Sequence, residues 1–447
     1  MKHLEHLFSE KLLLTTSRYE TVKSSNSVRE YSDTIPVDLL INILSLVPAK
    51  SIARFRCVSK FWAFILRRQD FTELFLTKSC TRPLLLFTLE ADGKLFFYST
   101  PQPQHPDDNS SLVASRYHTS VPRYIPSDTP SYLESLALYF PKSSHASFYK
   151  YSPSDICAPV CGLIFLHGWR RRQVRVICNP AKGKVLILPK LPKEVKTTSY
   201  TKAEGIDKIA GMYFGYDPIG KQFKVLCMTS SGHYFIPNTH WVLSLESGKR
   251  LWRPVERKFH FRVTNWIRNY IHINGFLYFG GYSQWSWVIF CFDVRSEKFC
   301  LINNDVDIPP GPVDLLTSSL ALFNYKGKLG IIQLREREGV VLWLLVDAAS
   351  HKWSKHIYVL NPLGKSIVTG NKFVGMTDTG ELMWSSYWSH DLSNHFDVFF
   401  YNLERNTFTR VNIEGFGHHS VRRIHTFIDY PDCASHCSCP SMDPKMA

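Results

Sequence analysis

The first strong hydrophobic pattern of the chain lies between residues 35 and 71, just after a polar segment without periodicity. Apolar side chains recur there with the spacing of one wide helical face, at Leu39, Leu40, Ile43, Leu44 and Val47. Pro36 suits the first turn of a helix, and Pro48 ends it because proline has no amide hydrogen to donate. The pattern therefore predicts an amphipathic helix before residue 48.

Two more short helices are predicted after Pro48, from about Lys50 to Phe55 and from about Ser59 to Arg68. The third helix places Phe61, Trp62, Ile65 and Leu66 on one side. Three short helices in fewer than 40 residues are too small for a self-sufficient core. We therefore expect another protein to complete part of this apolar face, or else the rest of the same chain to do so.

A different pattern repeats in the second half of the chain, where alternating apolar strands come in pairs. Turn glycines lie 52 and 53 residues apart, and an Asp or Asn recurs 54 and 55 residues apart, each followed six residues later by an aromatic residue. These positions are Gly275, Gly327 and Gly380; Asp293, Asp347 and Asn402; and Phe299, Trp353 and Phe408. A period near 50 residues with paired strands is typical of the four-stranded blades of a β-propeller.

Weaker copies of the repeat occur earlier in the chain, which gives about six blades. Residues 422–430 are predicted to return to the first blade and close the ring, because closure removes an exposed sheet edge. A set of β-sandwich hairpins without closure is the alternative. With the preferred propeller, the predicted fold class is α+β and multidomain. A small N-terminal three-helix unit at 33–78 is followed by an all-β, kelch-like propeller at 82–430. Residues 1–32 and the Cys-containing tail at 431–447 are predicted to be disordered.

Composition adds a charge and a compartment to this picture. Lys plus Arg (53) exceeds Asp plus Glu (38) among the 447 residues, which gives a net charge of +15. Partners with negative surfaces are one interpretation. The preferred one is a merely basic soluble protein, because no run of five or more like charges occurs, so nucleic acid is not expected as a partner. No stretch approaches the roughly 20 apolar residues of a membrane span, so we expect a soluble protein without a membrane partner. The eleven cysteines are mostly dispersed in apolar strings, which is typical of free thiols in the cytosol or nucleus.

The sequence carries none of the common catalytic motifs. It has no Gly-rich phosphate loop, no His-Glu-x-x-His zinc site and no Gly-x-Ser-x-Gly elbow, so no catalytic residue, cofactor or metal site is predicted. The tail offers Cys433, His436, Cys437 and Cys439, which are zinc-ligand types. Their spacing is too cramped for a standard zinc finger, and a disordered tail is the preferred interpretation.

The helical region resembles the F-box. The resemblance rests on Ile35-Pro36, on Val47-Pro48-Ala49-Lys50-Ser51, on the segment 54–60 (RFRCVSK) and on Asp70-Phe71. It implies docking onto a Skp-type adaptor of a cullin–RING ubiquitin ligase. The side chains that the resemblance assigns to the adaptor are Pro36, Leu39, Leu40, Ile43, Leu44, Pro48, Ile52, Cys57, Val58 and Trp62.

The repeat region resembles, more loosely, the F-box-associated and kelch-like repeat domains of plant F-box proteins. The phrases that carry this resemblance are "ICNPAKGKVLILPKLP" (177–192) and "GYDPIGKQFKVL" (215–226). Only Gly280-Gly281 matches the double glycine of a kelch repeat. The resemblance implies that the propeller captures the protein to be ubiquitinated.

Strand order indicates which end of the propeller would bind that target. With strands A to D antiparallel, the A–B and C–D turns share one end, and the B–C and D–A connections share the other. The second set is predicted to be longer, and binding residues concentrate on such loops. Exposed aromatic and Arg side chains dominate interfaces, so the predicted target-binding residues are Trp169, Arg171, Trp285, Arg335, Tyr387 and Trp388.

Together these observations predict a non-catalytic substrate-recognition subunit of a Skp–cullin–F-box ubiquitin ligase, with a Skp-type adaptor and an unidentified target protein as partners. Two alternatives stay open. One is a basic propeller that binds nucleic acid or glycan, whose N-terminal helices pack internally. The other is a propeller hydrolase, which would need converging carboxylates that the sequence does not indicate.

Overall fold

The computed structural model of the protein describes eighteen stretches of the chain. They are residues 35–47, 49–80, 82–91, 94–107, 110–122, 156–167, 175–192, 195–196, 207–230, 239–245, 250–255, 262–263, 270–283, 286–302, 320–335, 339–386, 396–417 and 421–431. The chain divides into two compact units, Met1–Arg82 and Pro83–Ala447. Each is described below by itself.

The first unit is helical. Its described residues form the helices α1 (Val37–Leu44), α2 (Ala49–Phe55), α3 (Lys60–Ile65) and α4 (Gln69–Cys80). Helix α1 follows Pro36 directly, and α3 begins where the hydroxyl of Ser59 accepts a hydrogen bond from the amide of Trp62 at 3.2 Å. All four helices contribute to one apolar core, formed by Leu40, Ile41, Leu44, Ile52, Trp62, Ile65, Leu66, Phe71 and Phe75.

The prediction of a three-helix unit at 33–78 missed one helix, which spans Gln69–Cys80. Helix α4 supplies Phe71 and Phe75, which stack on each other and are almost fully buried. The polar residues Thr72, Glu73 and Thr77 interrupt its apolar periodicity, so the helix was not recognised in the sequence. With this fourth helix the unit has an apolar core of its own.

The second unit contains all the strands found among the described residues. They are β1 (Pro83–Ala91), β2 (Lys94–Pro101), β3 (Ser110–Val113), β4 (Ser115–Pro122), β5 (Ile164–Leu166), β6 (Val176–Asn179), β7 (Lys184–Ile187), β8 (Val195–Lys196), β9 (Asp207–Asp217), β10 (Gln222–Ser230), β11 (His240–Ser244), β12 (Arg253–Val255), β13 (Arg262–Val263), β14 (Ile271–Ile273), β15 (Phe276–Ser283), β16 (Ser286–Asp293), β17 (Phe299–Ile302), β18 (Leu320–Tyr325), β19 (Lys328–Arg335), β20 (Gly339–Asp347), β21 (Lys352–Tyr358), β22 (Lys372–Met376), β23 (Leu382–Ser385), β24 (Phe396–Asn402), β25 (Thr407–Glu414) and β26 (Val421–Pro431). One helix, α5 (Pro362–Gly370), lies between β21 and β22.

These strands form six sheets in the described part of the chain, and each sheet is a propeller blade. Blade 1 contains β26, β1, β2 and β4; blade 2, β5 to β7; blade 3, β8 to β12; blade 4, β13 to β17; blade 5, β18 to β21; and blade 6, β22 to β25 with β3. Within the blades, neighbouring strands of the A-to-D series pair antiparallel. The prediction of a six-bladed propeller is confirmed.

Packing between the blades closes the ring. Six apolar clusters each join two consecutive blades: 1 with 2, 2 with 3, 3 with 4, 4 with 5, 5 with 6, and 6 with 1. Each blade therefore buries both of its faces. This arrangement excludes the alternative of β-sandwich hairpins without closure.

Two strands tie the ends of the ring together. The last strand, β26, pairs antiparallel with β1, as predicted for residues 422–430. The short strand β3 pairs parallel with β25, so a segment that lies between β2 and β4 of blade 1 in the sequence extends blade 6. Nothing in the polar sequence of β3 predicted this second link, which the phenol of Tyr98 reinforces by donating to the carbonyl of Phe416 at 2.9 Å.

The structure explains the repeated residues. Gly275, Gly327 and Gly380 all have positive φ angles, between 84° and 94°, at the A–B turns. The recurring Asp or Asn caps the C–D turn: Asp293, Asp347 and Asn402 each accept a hydrogen bond from the amide two residues later. The repeat is therefore a repeat of turn geometry.

Some connections differ from the prediction of long, variable loops at one end. Strands β15 and β16 pair up to Ser283 and Ser286, so only two residues connect them. Strands β19 and β20 pair up to Arg335 and Gly339, so only three residues connect those. Residues 361–370, which belong to a D–A connection that was predicted to be a long loop, instead begin with the helix cap Asn361 and form α5.

Candidate functional site

The helical unit has apolar side chains outside its core as well as inside it. Leu39 is 52% exposed and Phe64 is 66% exposed. Five further apolar residues of this unit are exposed: Ile35, Val37, Leu46, Val58 and Phe61. So much exposed apolar area on so small a unit is typical of a protein-binding surface.

The residues predicted to bind the adaptor fall into two groups. Leu40, Leu44, Ile52 and Trp62 are buried within the unit, where they hold the four helices together. Pro36, Leu39, Cys57 and Val58 are exposed, and Ile43 is half-buried. Pro48 lies outside the described residues. The exposed residues can contact a partner directly. The buried residues act indirectly, because they hold the helices that carry the exposed ones.

Sequence reasoning placed Phe61 on the buried side of the third helix and did not single out Phe64. In the structure Trp62 and Ile65 point into the core, and Phe61 and Phe64 remain exposed on the other side of α3. A helix that is apolar all round must bury two faces. The apolar residues on both sides of the helix sequence KFWAFI (60–65) therefore indicate a second apolar face, in addition to the one in the core.

Polar contacts fix the connections between these helices. One guanidinium nitrogen of Arg56 donates to the carbonyl of Leu66 at 2.9 Å, which ties the end of α2 to the end of α3. At the start of α4, Asp70 accepts from Arg68 at 2.6 Å and from the amide of Phe71. The Arg68 side chain holds the pKa of the Asp70 carboxyl below its usual value. These contacts position the exposed side chains on a defined surface.

At the propeller end where the B–C and D–A connections lie, Arg335 is the one predicted target-binding residue that the structure describes. It closes the β19–β20 hairpin opposite Gly339 and is half-buried. Its guanidinium lies 5.3 Å from the ring centroid of the buried Trp343, and its Nε donates to Gln333 at 2.9 Å. Trp169, Arg171, Trp285, Tyr387 and Trp388 lie outside the described residues.

The opposite end of the propeller is formed by the tight turns. Lys224, which is buried, donates to the carbonyl of Val294 at 2.8 Å and to the carboxylate of Glu297 at 2.7 Å, linking blade 3 to the C–D turn of blade 4. The amide of Asn274 donates to the carbonyl of Gly327 at 3.4 Å, linking two A–B turns. The A–B and C–D turns therefore share this end, as strand order predicted.

The described residues contain neither a metal-binding cluster nor a membrane-spanning helix. Among the described residues, no group of three or more His, Cys, Asp or Glu side chains is arranged to hold a metal ion. The Cys and His residues of the tail lie outside the described residues. No described helix has the length and apolar character needed to cross a bilayer.

Comparison with protein families matches both units. The description "F-box domain" matches residues 33–74, and "F-box associated beta propeller domain" matches residues 84–432, which is most of the chain. The chain belongs to the F-box proteins with an F-box-associated β-propeller. The resemblance to plant F-box proteins seen in the sequence is thereby confirmed.

Relatives of this F-box protein extend over almost its full length. The Arabidopsis thaliana protein At1g53370 is 42% identical over 435 residues, which cover 96% of this chain and 98% of that one. The F-box protein At1g53790 of the same plant is 41% identical, over 89% of this chain and 80% of that one. F-box protein DOR, also from Arabidopsis thaliana, is 37% identical, over 90% and 93%.

Proposed function

We propose that this F-box protein is the substrate-recognition subunit of a Skp–cullin–F-box ubiquitin ligase. The observation that carries the proposal is the exposed apolar surface of the F-box unit, in a chain that also contains a propeller of the F-box-associated family. A Skp-type adaptor would cover Leu39, Ile43, Val58 and their exposed neighbours. The propeller would hold a target protein close to the ubiquitin carrier and so raise its local concentration.

The adaptor interface can be tested with the double variant Leu39→Ala with Ile43→Ala. Each truncation should remove about 1–3 kcal/mol of interface contact, so the affinity for the adaptor should fall by tens of fold or more. Folding should be retained, because Leu39 is already half exposed. Co-purification and titration with a purified Skp-type adaptor measure the effect.

The matched control truncates two exposed apolar residues of the propeller, Val359→Ala with Leu363→Ala, which should leave adaptor binding unchanged. Normal adaptor affinity in the F-box double variant would show that the interface lies elsewhere. A loss of affinity in both double variants would indicate a general effect on the fold.

For the target, we propose the propeller end that carries the B–C and D–A connections, with Trp169, Arg171, Trp285, Arg335, Tyr387 and Trp388 as contacts. Arg335 supports this choice, because stacking on Trp343 and the bond to Gln333 hold its side chain in one place at that end. An acidic or aromatic segment of the target would suit these side chains.

The test is charge reversal once a target has been captured by proximity labelling with the full chain. Arg171→Glu with Arg335→Glu should abolish capture and leave adaptor binding and thermal stability intact. Lys298→Glu with Lys352→Glu, at the opposite end, is the matched pair. A loss of capture from the matched pair alone would place the target on the turn end instead.

We also propose that the chain has no turnover of its own and works in the cytoplasm or nucleus. Cysteines that are free and buried in the described blades, such as Cys178 and Cys227, suit a reducing compartment. In the proposed ligase the cullin–RING partners supply the ubiquitin transfer. The purified chain alone should therefore not discharge a ubiquitin-charged carrier, and discharge without those partners would contradict the proposal.

A further inference from the structure

Two cysteines face each other across the outer strands of blade 4. Cys291 on β16 and Cys300 on β17 are directly opposed in the antiparallel register. Opposed residues of such strands lie about 4.5–5.5 Å apart between their Cα atoms. That separation falls within the 4.4–6.8 Å range of disulfides, so a bond between the two sulfurs needs no shift of the backbone.

The surroundings of the two thiols differ. Cys291 is buried and lies in the row that continues to Tyr278 on β15, with which its thiol shares a hydrogen bond. Cys300 is exposed, on the short strand that forms the outer edge of the described blade. The two thiols are also hydrogen-bonded to each other. The sulfur of Cys300 is therefore accessible to a reagent from solvent, and the sulfur of Cys291 lies beside it in the buried layer.

The chemistry of the pair follows from this difference. The hydrogen bond from Cys291 lowers the pKa of Cys300 to about 7, despite partial burial and the carboxylate of Asp293 nearby. The same interaction, together with burial, raises the pKa of Cys291. Thiolates, not thiols, react with peroxides, so Cys300 is the attacking group and Cys291 the resolving one.

We propose that Cys291 and Cys300 form a site of reversible oxidation, at which a hydroperoxide converts the opposed thiols into a cross-strand disulfide. The Cys300 thiolate attacks a peroxide oxygen, the O–O bond breaks, and the sulfur becomes a sulfenic acid while the released hydroxide takes up a proton. The sulfur of Cys291 then attacks that of Cys300, the S–O bond breaks, and water leaves with the Cys291 proton. Two thiols and one hydrogen peroxide give one disulfide and two waters.

No other cysteine shares this arrangement among the strand pairs that the structure describes. Cys178 lies opposite Ile164 and Val185, and Cys227 lies opposite Met212 and Trp241. Both are fully buried, and burial raises the pKa of Cys227 to about 12. Cys161 is exposed like Cys300 but lies outside the named strands, which makes it the matched control for exposure alone.

The consequence of oxidation is local. The disulfide would close a ring from residue 291 to residue 300 and fasten the edge strand β17 to β16. Edge strands are usually the first to open, because they pair on one side only. The backbone amides of β17 should therefore exchange with solvent more slowly in the oxidised protein. This inference does not depend on the proposed ligase function.

The experiment treats the reduced full chain with a small excess of hydrogen peroxide, followed by proteolysis without reductant and mass spectrometry. Cleavage at Arg295 or Lys298 separates the two cysteines, so the disulfide appears as two linked peptides, two hydrogens lighter than their sum. We expect this link to be at least tenfold more abundant than any other cysteine link. It should persist in Cys161→Ser and disappear in Cys300→Ser, and thiol reductant should reverse it.

The variant Cys291→Ser separates the two steps, because a hydroxyl can still donate the hydrogen bond to Cys300 but cannot form a disulfide. Without its resolving partner, Cys300 should accumulate as a sulfenic acid that dimedone traps. The proposal is wrong if both peptides stay reduced in the wild type while Cys161 is oxidised. It is also wrong if Cys300 links between molecules and not to Cys291. Thermal unfolding of each variant shows that the comparison is made on folded protein.

Discussion

At the scale of single residues, the closing strand β26 holds the carboxyl group of Asp429 in an environment that disfavours its charged form. Its carboxylate accepts from the side-chain amide of Gln102 at 2.9 Å, and its own amide donates back to Gln102 at 2.9 Å. Its φ angle of 54° is left-handed, which Asn and Asp tolerate better than other side chains. Burial, with a contribution from Asp378, raises the pKa of Asp429 to about 6.

The substitution Asp429→Asn should therefore stabilise the protein above pH 6. A raised carboxyl pKa means that the folded state loses stability as the pH rises from about 4 to about 6, where the unfolded chain ionises first. An amide removes that cost and keeps the acceptor for Gln102. The gain at pH 8 should be at most about 3 kcal/mol, from 1.36 kcal/mol for each unit between 3.8 and 6.

Thermal unfolding at pH 8 and pH 4 measures this prediction. The melting temperature of the variant should exceed that of the wild type at pH 8 and match it at pH 4. Asp107→Asn, exposed on the connection that follows Gln102, should change neither value. An equal gain at both pH values would mean that the charge of Asp429 is not the cause.

Sequence reasoning at this scale succeeded where one residue type has one local purpose. The repeated Asp293, Asp347 and Asn402 were visible because a short polar side chain is what caps such a turn. It failed for Phe61, because the period of a six-residue helix does not say which of two apolar sides faces inward. It also gave no sign of Asp429, whose pKa depends on residues far away in the sequence.

At the scale of elements, the closing strand β26 should carry much of the stability of the ring. Ile424 on this strand is fully buried between blades 6 and 1. Ile424→Ala removes apolar contacts on both sides and should cost about 2–5 kcal/mol in the free energy of unfolding. Denaturant unfolding of the full chain measures that loss.

The matched control is Ile357→Ala on β21. Its side chain is about half exposed, so the cost should stay within about 0.5 kcal/mol. Similar losses in the two variants would show that β26 contributes no more to the stability of the propeller than the outer strand β21 of blade 5. A loss confined to Ile424→Ala supports closure by the last strand.

Elements were predictable from the sequence where the pattern is local and periodic. The strand pairs of blades 4 to 6 and the first three helices follow from spacing of 2 or 3.6 residues. The helix α5 was missed because Gly364 and Gly370 interrupt its pattern, although Asn361 and Pro362 form a good start. The parallel pairing of β3 with β25 brings together residues about 300 positions apart, which no local pattern reports.

At the scale of the whole molecule, the chain combines two units with different relations to solvent. The propeller buries both faces of each blade against its neighbours, and its ring is closed by β26. The F-box unit has a core of its own and still exposes Leu39, Phe61, Phe64 and other apolar side chains. A unit with this surface is expected to work in a complex, and the propeller provides two ends for further contacts.

The sequence predicted this division because each unit has its own period. It did not predict which apolar residues of the F-box unit stay exposed, since burial depends on how four helices pack and α4 was not recognised. Neither hydrophobic pattern, that of the helices or that of the strands, contains information about which protein is the target. The loop residues proposed to bind it were chosen from strand order, which the structure supports at the turn end.

The most direct test of the account is whether the full chain and a purified Skp-type adaptor form a stable complex. Size-exclusion chromatography with light scattering should show one peak with the mass of one copy of each protein, at micromolar concentrations. The double variant Leu39→Ala with Ile43→Ala should elute apart from the adaptor under the same conditions. Separate elution of the folded wild-type chain and the adaptor would contradict the proposed role as a ligase subunit.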